Sequence, residues 1–435
     1  MCLVEGWGHE ARHARVRQLL RERQARNAAH SYPLSATQQG IWLADTLNPG
    51  ISGYHDVAQV ELQGHLDTGR LRRALAAVMR RHEALRARIE TDDDVPMQIF
   101  DRQIPAIETV DLCGRAADRQ ERHVDRLVGI AATEPFALDV GPLWRGLLIR
   151  LDERRHLLVL VVHHLIGDGE SHNLVWRDLL RGYADPLLPA VTGYGDWLRT
   201  RVAQEDAAVA RAQKVADRAA QSPRRLDLPG CGADDGDRRA HVVPVPVAAD
   251  DWEAFLARAS GGGVTLFSAL LGLFGVELAE RTGAPVTLAV PLSQRWRQSE
   301  GADLAGCMVD LLPTIVEGGS DDIAVGQTAW TQALEGFDVP YREIARLLSS
   351  RTGRTDDPVT NVAVEQFNVD MSPRDVAGLR VIPRPRSHLR VRHDLTLTVF
   401  HDRTPPQLLV PRSRWDLAML DEFAMSIADR ITRTR

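Results

Sequence analysis

Between His156 and Val162 the chain reads HLLVLVV, six apolar side chains with no polar interruption. A strand with one wet face alternates polar and apolar residues, whereas an unbroken run fits a strand covered on both faces. That segment demands layers above and below a sheet, and few architectures supply them. The rest of the sequence repeats the same grammar. VVPVPV (242–247) and PVTLAVPL (285–292) read as further strands, and TLFSALLGLFGVELAERTG as a long apolar helix closed by Gly283. Asp67 caps a helix through TGRLRRALAAVMRRHEAL, with Leu71, Leu75 and Val78 on one face, and another helix starts at Asp250. Strands alternate with helices in both halves, which predicts an α/β chain of two lobes. A length of 435 residues leaves room for both.

The expected organisation is a leader helix over residues 1–30, one lobe over 31–190 and a second over 191–435. The leader segment, HEARHARVRQLLRERQARNA (9–28), has few apolar positions and reads as a solvated helix or a docking helix for a partner. SPRRLDLPGCGADDGDRR (222–239) reads as a surface loop, and AVTGYGDWLRTR (190–201) as the passage between lobes. A net charge of −6 without a polybasic face argues against nucleic acid as a partner. Cys2, Cys113, Cys231 and Cys307 lie far apart with no CxxC pair, so neither a zinc site nor a disulfide framework is expected, and a cytoplasmic setting is. The first residues lack the apolar centre of a signal peptide, and no run approaches the roughly 18 apolar residues of a membrane span.

The covered strand runs straight into His163-His164-Leu165-Ile166-Gly167-Asp168-Gly169. Neighbouring strand residues point to opposite faces, so one histidine can face a cavity while the other is held in the core. Asp168 and Gly169 read as a tight turn in which glycine takes a positive φ. ESHNLVWRDLL then opens a helix, which sets N-terminal N–H groups beside the histidines and pairs a base with a stabiliser of negative charge. A histidine at a strand end also fits a purely structural role. A metal site would need a third ligand at HExxH-like spacing, and a serine nucleophile a GxSxG elbow; the sequence has neither. General acid–base or positioning work by a histidine is the chemistry that remains.

HHLIGDG resembles the HHxxxDG signature of the condensation-domain superfamily of nonribosomal peptide synthetases, shared with chloramphenicol-acetyltransferase-like enzymes. Other segments resemble family motifs in the same order. These are Tyr32-Pro33-Leu34-Ser35-Ala36-Thr37-Gln38-Gln39-Gly40-Ile41-Trp42 (PLSxxQxxxW), Arg81-His82-Glu83-Ala84-Leu85-Arg86 (RHExLR) and Tyr194-Gly195-Asp196-Trp197 (YxDYxxW). Gly306-Cys307-Met308-Val309-Asp310 is similar to GxFVN, Val339-Pro340-Tyr341-Arg342-Glu343 to VPFE, and Asp357-Pro358-Val359-Thr360-Asn361 to a late segment before the final strands. The resemblance implies two chloramphenicol-acetyltransferase-like lobes forming a V-shaped pseudo-dimer, with the active site in a central tunnel. It implies that His164 orients or deprotonates the nucleophile, that His163 and Asp168 have largely structural duties, and that Arg295 pairs with Asp168. The Gly169 N–H would approach the oxyanion. Donor and acceptor would arrive on phosphopantetheine of carrier proteins, or the acceptor as a small molecule, and the domain itself would bind no cofactor.

Three departures bear on substrate. Glu170 stands where many members carry an aromatic residue, Met308 replaces the Phe of GxFVN, and Asp310 replaces its Asn. With Ser171, these are the candidates for lining the substrate channel; a solvated first-turn acid is the plainer role for Glu170. No adenylation or carrier segment is recognisable, so a free-standing acyltransferase is expected, forming an amide, with ester formation as the alternative. An epimerisation branch would carry an EGHGR-type segment, which is absent, and a non-catalytic recruiting relative would usually have lost part of the histidine signature, which is complete.

Overall fold

In the computed structural model the described residues are 31–434, except 48–51, 93–94, 102–103, 105, 192, 234, 296–300, 353–358, 369–370 and 386. The leader segment and Asp357-Pro358 therefore lie outside them.

The unbroken apolar run becomes β7 (Arg155–His163), buried at every position after Arg155. It is central in a six-stranded sheet ordered β12 (Arg374–Val376), β13 (Leu379–Pro383), β2 (His55–Gln63), β7, β6 (Trp144–Arg150) and β5 (Glu108–Asp111). Helices α2 (Thr68–Arg81), α3 (Ala117–Thr133) and α4 (Gly169–Ala184) contribute to its core. Asp67 caps α2 as expected, its carboxylate accepting the Arg70 N–H at 2.8 Å, and Leu71, Leu75 and Val78 are buried. The helix stops at Arg81, four residues before Leu85, because His82 leaves helical geometry (φ −109°, ψ 101°) to reach Asp178 on α4.

A second six-stranded sheet runs β10 (Val309–Val316), β9 (Val286–Ser293), β11 (Val362–Phe367), β14 (Leu395–Phe400), β15 (Gln407–Pro411) and β8 (Ala240–Pro244). It shares a core with α6 (Ala249–Gly261), α7 (Leu266–Thr282) and α10 (Leu417–Arg433). Gly283 ends α7 in the left-handed region (φ 66°), as its place after the apolar helix predicts. β8 covers only the first half of the expected 242–247 strand, since Pro244 and Pro246 offer no N–H to a neighbour. Helix α8 (Asp322–Leu334) crosses α7 so closely that a Cβ on Gly272 would lie 2.1 Å from the Asp322 carbonyl oxygen.

Two features lay beyond the reach of sequence patterning. Most of the expected passage at 190–201 is the start of α5 (Tyr194–Ala219), a helix packed against β1 (Ser31–Pro33), β10 and α9 (Tyr341–Thr352). Its first turns bury Tyr194, Trp197 and Leu198, but beyond them the buried apolar stripe is Ala208, Ala212, Ala216 and Ala219, so most of its length carries a weak hydrophobic signal. The second feature is the return of β12 and β13 from the far half of the chain, β13 pairing antiparallel with β2 from Arg380↔Gln63 to Pro383↔Val60. A cut after residue 190 thus leaves the first sheet short of two strands. A small sheet of β1, β4 (Val95–Phe100) and β3 (Ala87–Asp92) and the helix α1 (Ala36–Leu47) complete the architecture. Among the described residues no single helix is long and apolar enough to cross a membrane.

Candidate active site

The end of β7 separates the two histidines. His163 pairs with His55 in the β2–β7 register and stays in the core with no exposed side-chain surface, its ring 5.6 Å from that of His55 and 5.8 Å from Phe136. Its Nδ1 accepts the Leu165 N–H at 3.1 Å, so the ring shapes the turn that follows. His164 donates its backbone N–H to the Tyr54 carbonyl at 2.8 Å and sends its side chain the other way. Its Nδ1 lies 2.6 Å from the Gly167 oxygen. A carbonyl can only accept, so Nδ1 carries the proton and Nε2 keeps its lone pair. Burial, helped by the nearby Arg392 guanidinium, lowers the pKa of this ring below the ordinary histidine value, which favours the neutral base at neutral pH. Gln38, from the PLSATQQ segment, braces the turn from beneath, donating to the Leu165 oxygen at 2.7 Å.

Asp168 caps α4. Its Oδ1 accepts from the Ser171 N–H (2.9 Å) and stands 2.8 Å from the Ser171 hydroxyl, while Oδ2 accepts from Arg295 (2.7 Å) and the Met308 N–H (2.8 Å). Burial alone would raise this carboxyl; the Arg295 guanidinium and the hydrogen bonds outweigh it and hold the group below its ordinary value. Arg295 is itself saturated, donating to Asp168, the Ser171 hydroxyl and the carbonyls of Leu304 and Gly306. Since Asp168 and Ser171 belong to the first half and Arg295, Gly306 and Met308 to the second, this network ties the α4 N-terminus to the other sheet.

The remaining motifs gather around that tie. Asp178 anchors α4 to Arg81 (2.7 Å) and His82 (2.9 Å), and His82 Nδ1 accepts the Ala305 N–H at 3.4 Å. Glu83 accepts the Gly195 N–H at 3.3 Å. The Tyr194 hydroxyl donates to the Cys307 oxygen at 3.0 Å, and its ring lies where a Cβ on Gly306 would stand, 2.2 Å from the nearest ring carbon.

Several expectations need revision. Gly169 does not take a positive φ; it is the exposed first residue of α4, and a Cβ there would meet no atom within 4 Å. What its missing side chain supplies is room beside an unbonded helix-terminal N–H. Of the four channel candidates only Glu170 has substantial exposure, 43%, and its carboxylate accepts from the Ser293 hydroxyl at 2.9 Å while lying 3.6 Å from Arg295. Ser171 is committed to the Asp168–Arg295 network. Met308 is buried in an apolar cluster with Tyr32, Tyr194, Trp197 and Leu304. Asp310 is buried too, 3.6 Å from Arg201, which also pairs with Glu205 at 3.0 Å. Both departures from GxFVN therefore act on packing between the halves. Asp56 and Arg392 beside His164, and His172 of α4 against Asp56, carried no signal in the sequence: β2–β7 pairing brings Asp56 there, and Arg392 arrives from the segment before β14.

The profile of the family described as Condensation domain matches residues 28–426. This chain is a condensation domain. A plipastatin synthase polypeptide of Bacillus subtilis (strain 168) is 27% identical over 384 residues, 84% of this chain but 10% of that relative, so the condensation domain spans a small part of the relative's length. The X-domain from teicoplanin biosynthesis shares its fold with a TM-score of 0.78 at 20% identity, covering 92% of this chain and 94% of that one. The first condensation domain of the calcium-dependent antibiotic synthetase, in complex with substrate analogue 3a, gives 0.75 at 22% identity over 93% and 97%. The chloramphenicol-acetyltransferase-like α/β fold expected from the motifs is the fold of these neighbours.

Proposed function

We propose that this condensation domain transfers an acyl or aminoacyl group from a phosphopantetheinyl carrier-protein thioester to an amine, forming an amide. The observation that carries the reading is the fixed tautomer of His164, with Nδ1–H on Gly167 and the Nε2 lone pair left for the nucleophile. The amine nitrogen attacks the thioester carbonyl as His164 Nε2 takes its proton. The Gly169 N–H, at the positive end of α4, faces the tetrahedral oxyanion. Collapse breaks the C–S bond, and the histidine returns the proton to the departing sulfur. Asp168 and Arg295 hold the site without entering the chemistry. The same base serves an alcohol, which would give an ester.

Loaded carrier proteins offered matched amine and alcohol acceptors, with product and residual thioester followed by intact-protein mass spectrometry, test this directly. His164→Ala is expected to lower turnover about 10²–10⁴-fold, the usual range for losing a general base. One structural neighbour, an X-domain, is also solved in complex with OxyB. Were this chain chiefly a partner-binding domain of that kind, no acceptor would consume the thioester and His164→Ala would change nothing.

A further inference from the structure

We propose that Asp56 is a positioning residue for His164: its carboxylate, carried on the neighbouring strand, faces the Nδ1 edge of the ring and balances the charge that appears when the ring takes the nucleophile's proton. The inference rests on the acyl-transfer reading above and adds a residue to it.

Strand pairing puts Asp56 there. In the antiparallel β2–β7 register His55 lies opposite His163 and Asp56 opposite Val162. Alternation along β2 sends His55 into the core with His163 and Asp56 to the other face, the side taken by His164. Asp56 Oδ2 is 3.5 Å from His164 Nδ1 and 3.9 Å from His172 Nε2, and Oδ1 is 3.9 Å from Arg392. The His172 Nε2 is buried, and among the described residues this carboxylate is its ion-pair partner.

Among the described residues the charged groups acting on His164 are Asp56 from β2, Asp168 from α4 and Arg392 from the segment before β14, and His172 of α4 stands against Asp56. Asp168 is fully engaged by Ser171, Arg295 and Met308, whereas the Asp56 carboxylate makes ion-pair contacts of 3.5–3.9 Å, the shortest of them to the His164 ring. Burial works against ionisation of Asp56, yet His164, His172 and Arg392 hold it well below the ordinary carboxylate range. Arg392 and Asp56 act on His164 with opposite sign, the guanidinium disfavouring the imidazolium and the carboxylate favouring it. The pair keeps the ring neutral at rest and lets it charge in transit. No proton passes to Asp56: the proton leaves the amine for Nε2 and goes on to the thiolate.

Two substitutions in the full chain test the pairing, Asp56→Asn and Arg392→Gln. The readouts are the His164 titration by NMR in histidine-labelled protein, assigned with His164→Ala, and the pH profile of kcat with a loaded carrier. Asp56→Asn is expected to move the titration about one pH unit lower and to cut kcat about tenfold, a unit of pKa being a factor of ten in equilibrium. Arg392→Gln is expected to move the titration higher. An unmoved His164 titration in Asp56→Asn, or shifts of the same sign in both variants, overturns the proposal. Opposite shifts in a protein that consumes no thioester overturn the reaction and leave the Asp56–His164 pairing standing.

Discussion

Asp168 can stay ionised at 5% exposure because each of its oxygens has two partners and one of those partners is a guanidinium. Removing a single member of such a pair strands the other charge in a dry site. Arg295→Met should therefore destabilise the fold by about 3–5 kcal/mol, read as a lower urea midpoint by tryptophan fluorescence. Adding Asp168→Asn should recover part of that loss; no recovery would show that Arg295 acts through packing alone. The sign of the pH dependence follows from the lowered pKa. The carboxylate's contribution is present above its unfolded value near 3.8 and is lost as pH falls through the folded one. The stability gap between the wild type and Asp168→Asn should close in acid.

At the scale of elements, two glycines on helices have opposite reasons to lack a side chain. Gly272 sits where α7 crosses α8, and an added methyl would collide with backbone that cannot rotate away. Gly272→Ala should cost about 3 kcal/mol, at the upper end for overpacking, and show as a lower melting temperature. Gly169 opens α4 into empty space. There Gly169→Ala should leave melting unchanged or slightly raised, since alanine is the better helix former, while turnover falls because the methyl occupies room the substrate needs. Equal loss of stability and turnover would mean that α4 itself had been disturbed. The helix is otherwise held along its length, by Asp178 on Arg81 and His82 and by Gly182 against Ala74.

Across the whole molecule, α5 bridges the halves and carries the least comfortable charges. Glu205, 8% exposed, accepts the Ala36 N–H at 2.9 Å and shares Arg201 with Asp310 of β10. Burial, with Asp310 adding to it and Arg201 opposing, pushes the Glu205 pKa up to about 7. An acid raised on folding binds its proton more tightly in the native state, so stability falls as pH rises from the unfolded value near 4.5 and the loss is complete above about 7. Glu205→Gln should remove that slope. Its melting temperature relative to the wild type should rise between pH 5 and pH 8, by an amount on the order of 1–3 kcal/mol in stability. A constant difference across that range would refute the linkage.

How much of this was legible beforehand depended on whether the cause was local. The covered strand at 156–162, the cap at Asp67 and the stop at Gly283 are set by side-chain period and backbone chemistry within a few residues, and all three were readable. The opposite fates of His163 and His164 followed from strand alternation, and the Asp168–Arg295 pair from motif resemblance. What tertiary structure alone decided was the relations between distant segments that no motif carries. Strand register, not sequence, sets Asp56 beside His164. The return of residues 374–383 to the first sheet and the alanine stripe of α5 are settled by partners far along the chain. Local propensity can choose an element and its exposed face, but the energy that selects which face meets which belongs to burial shared between elements, and no single segment encodes it.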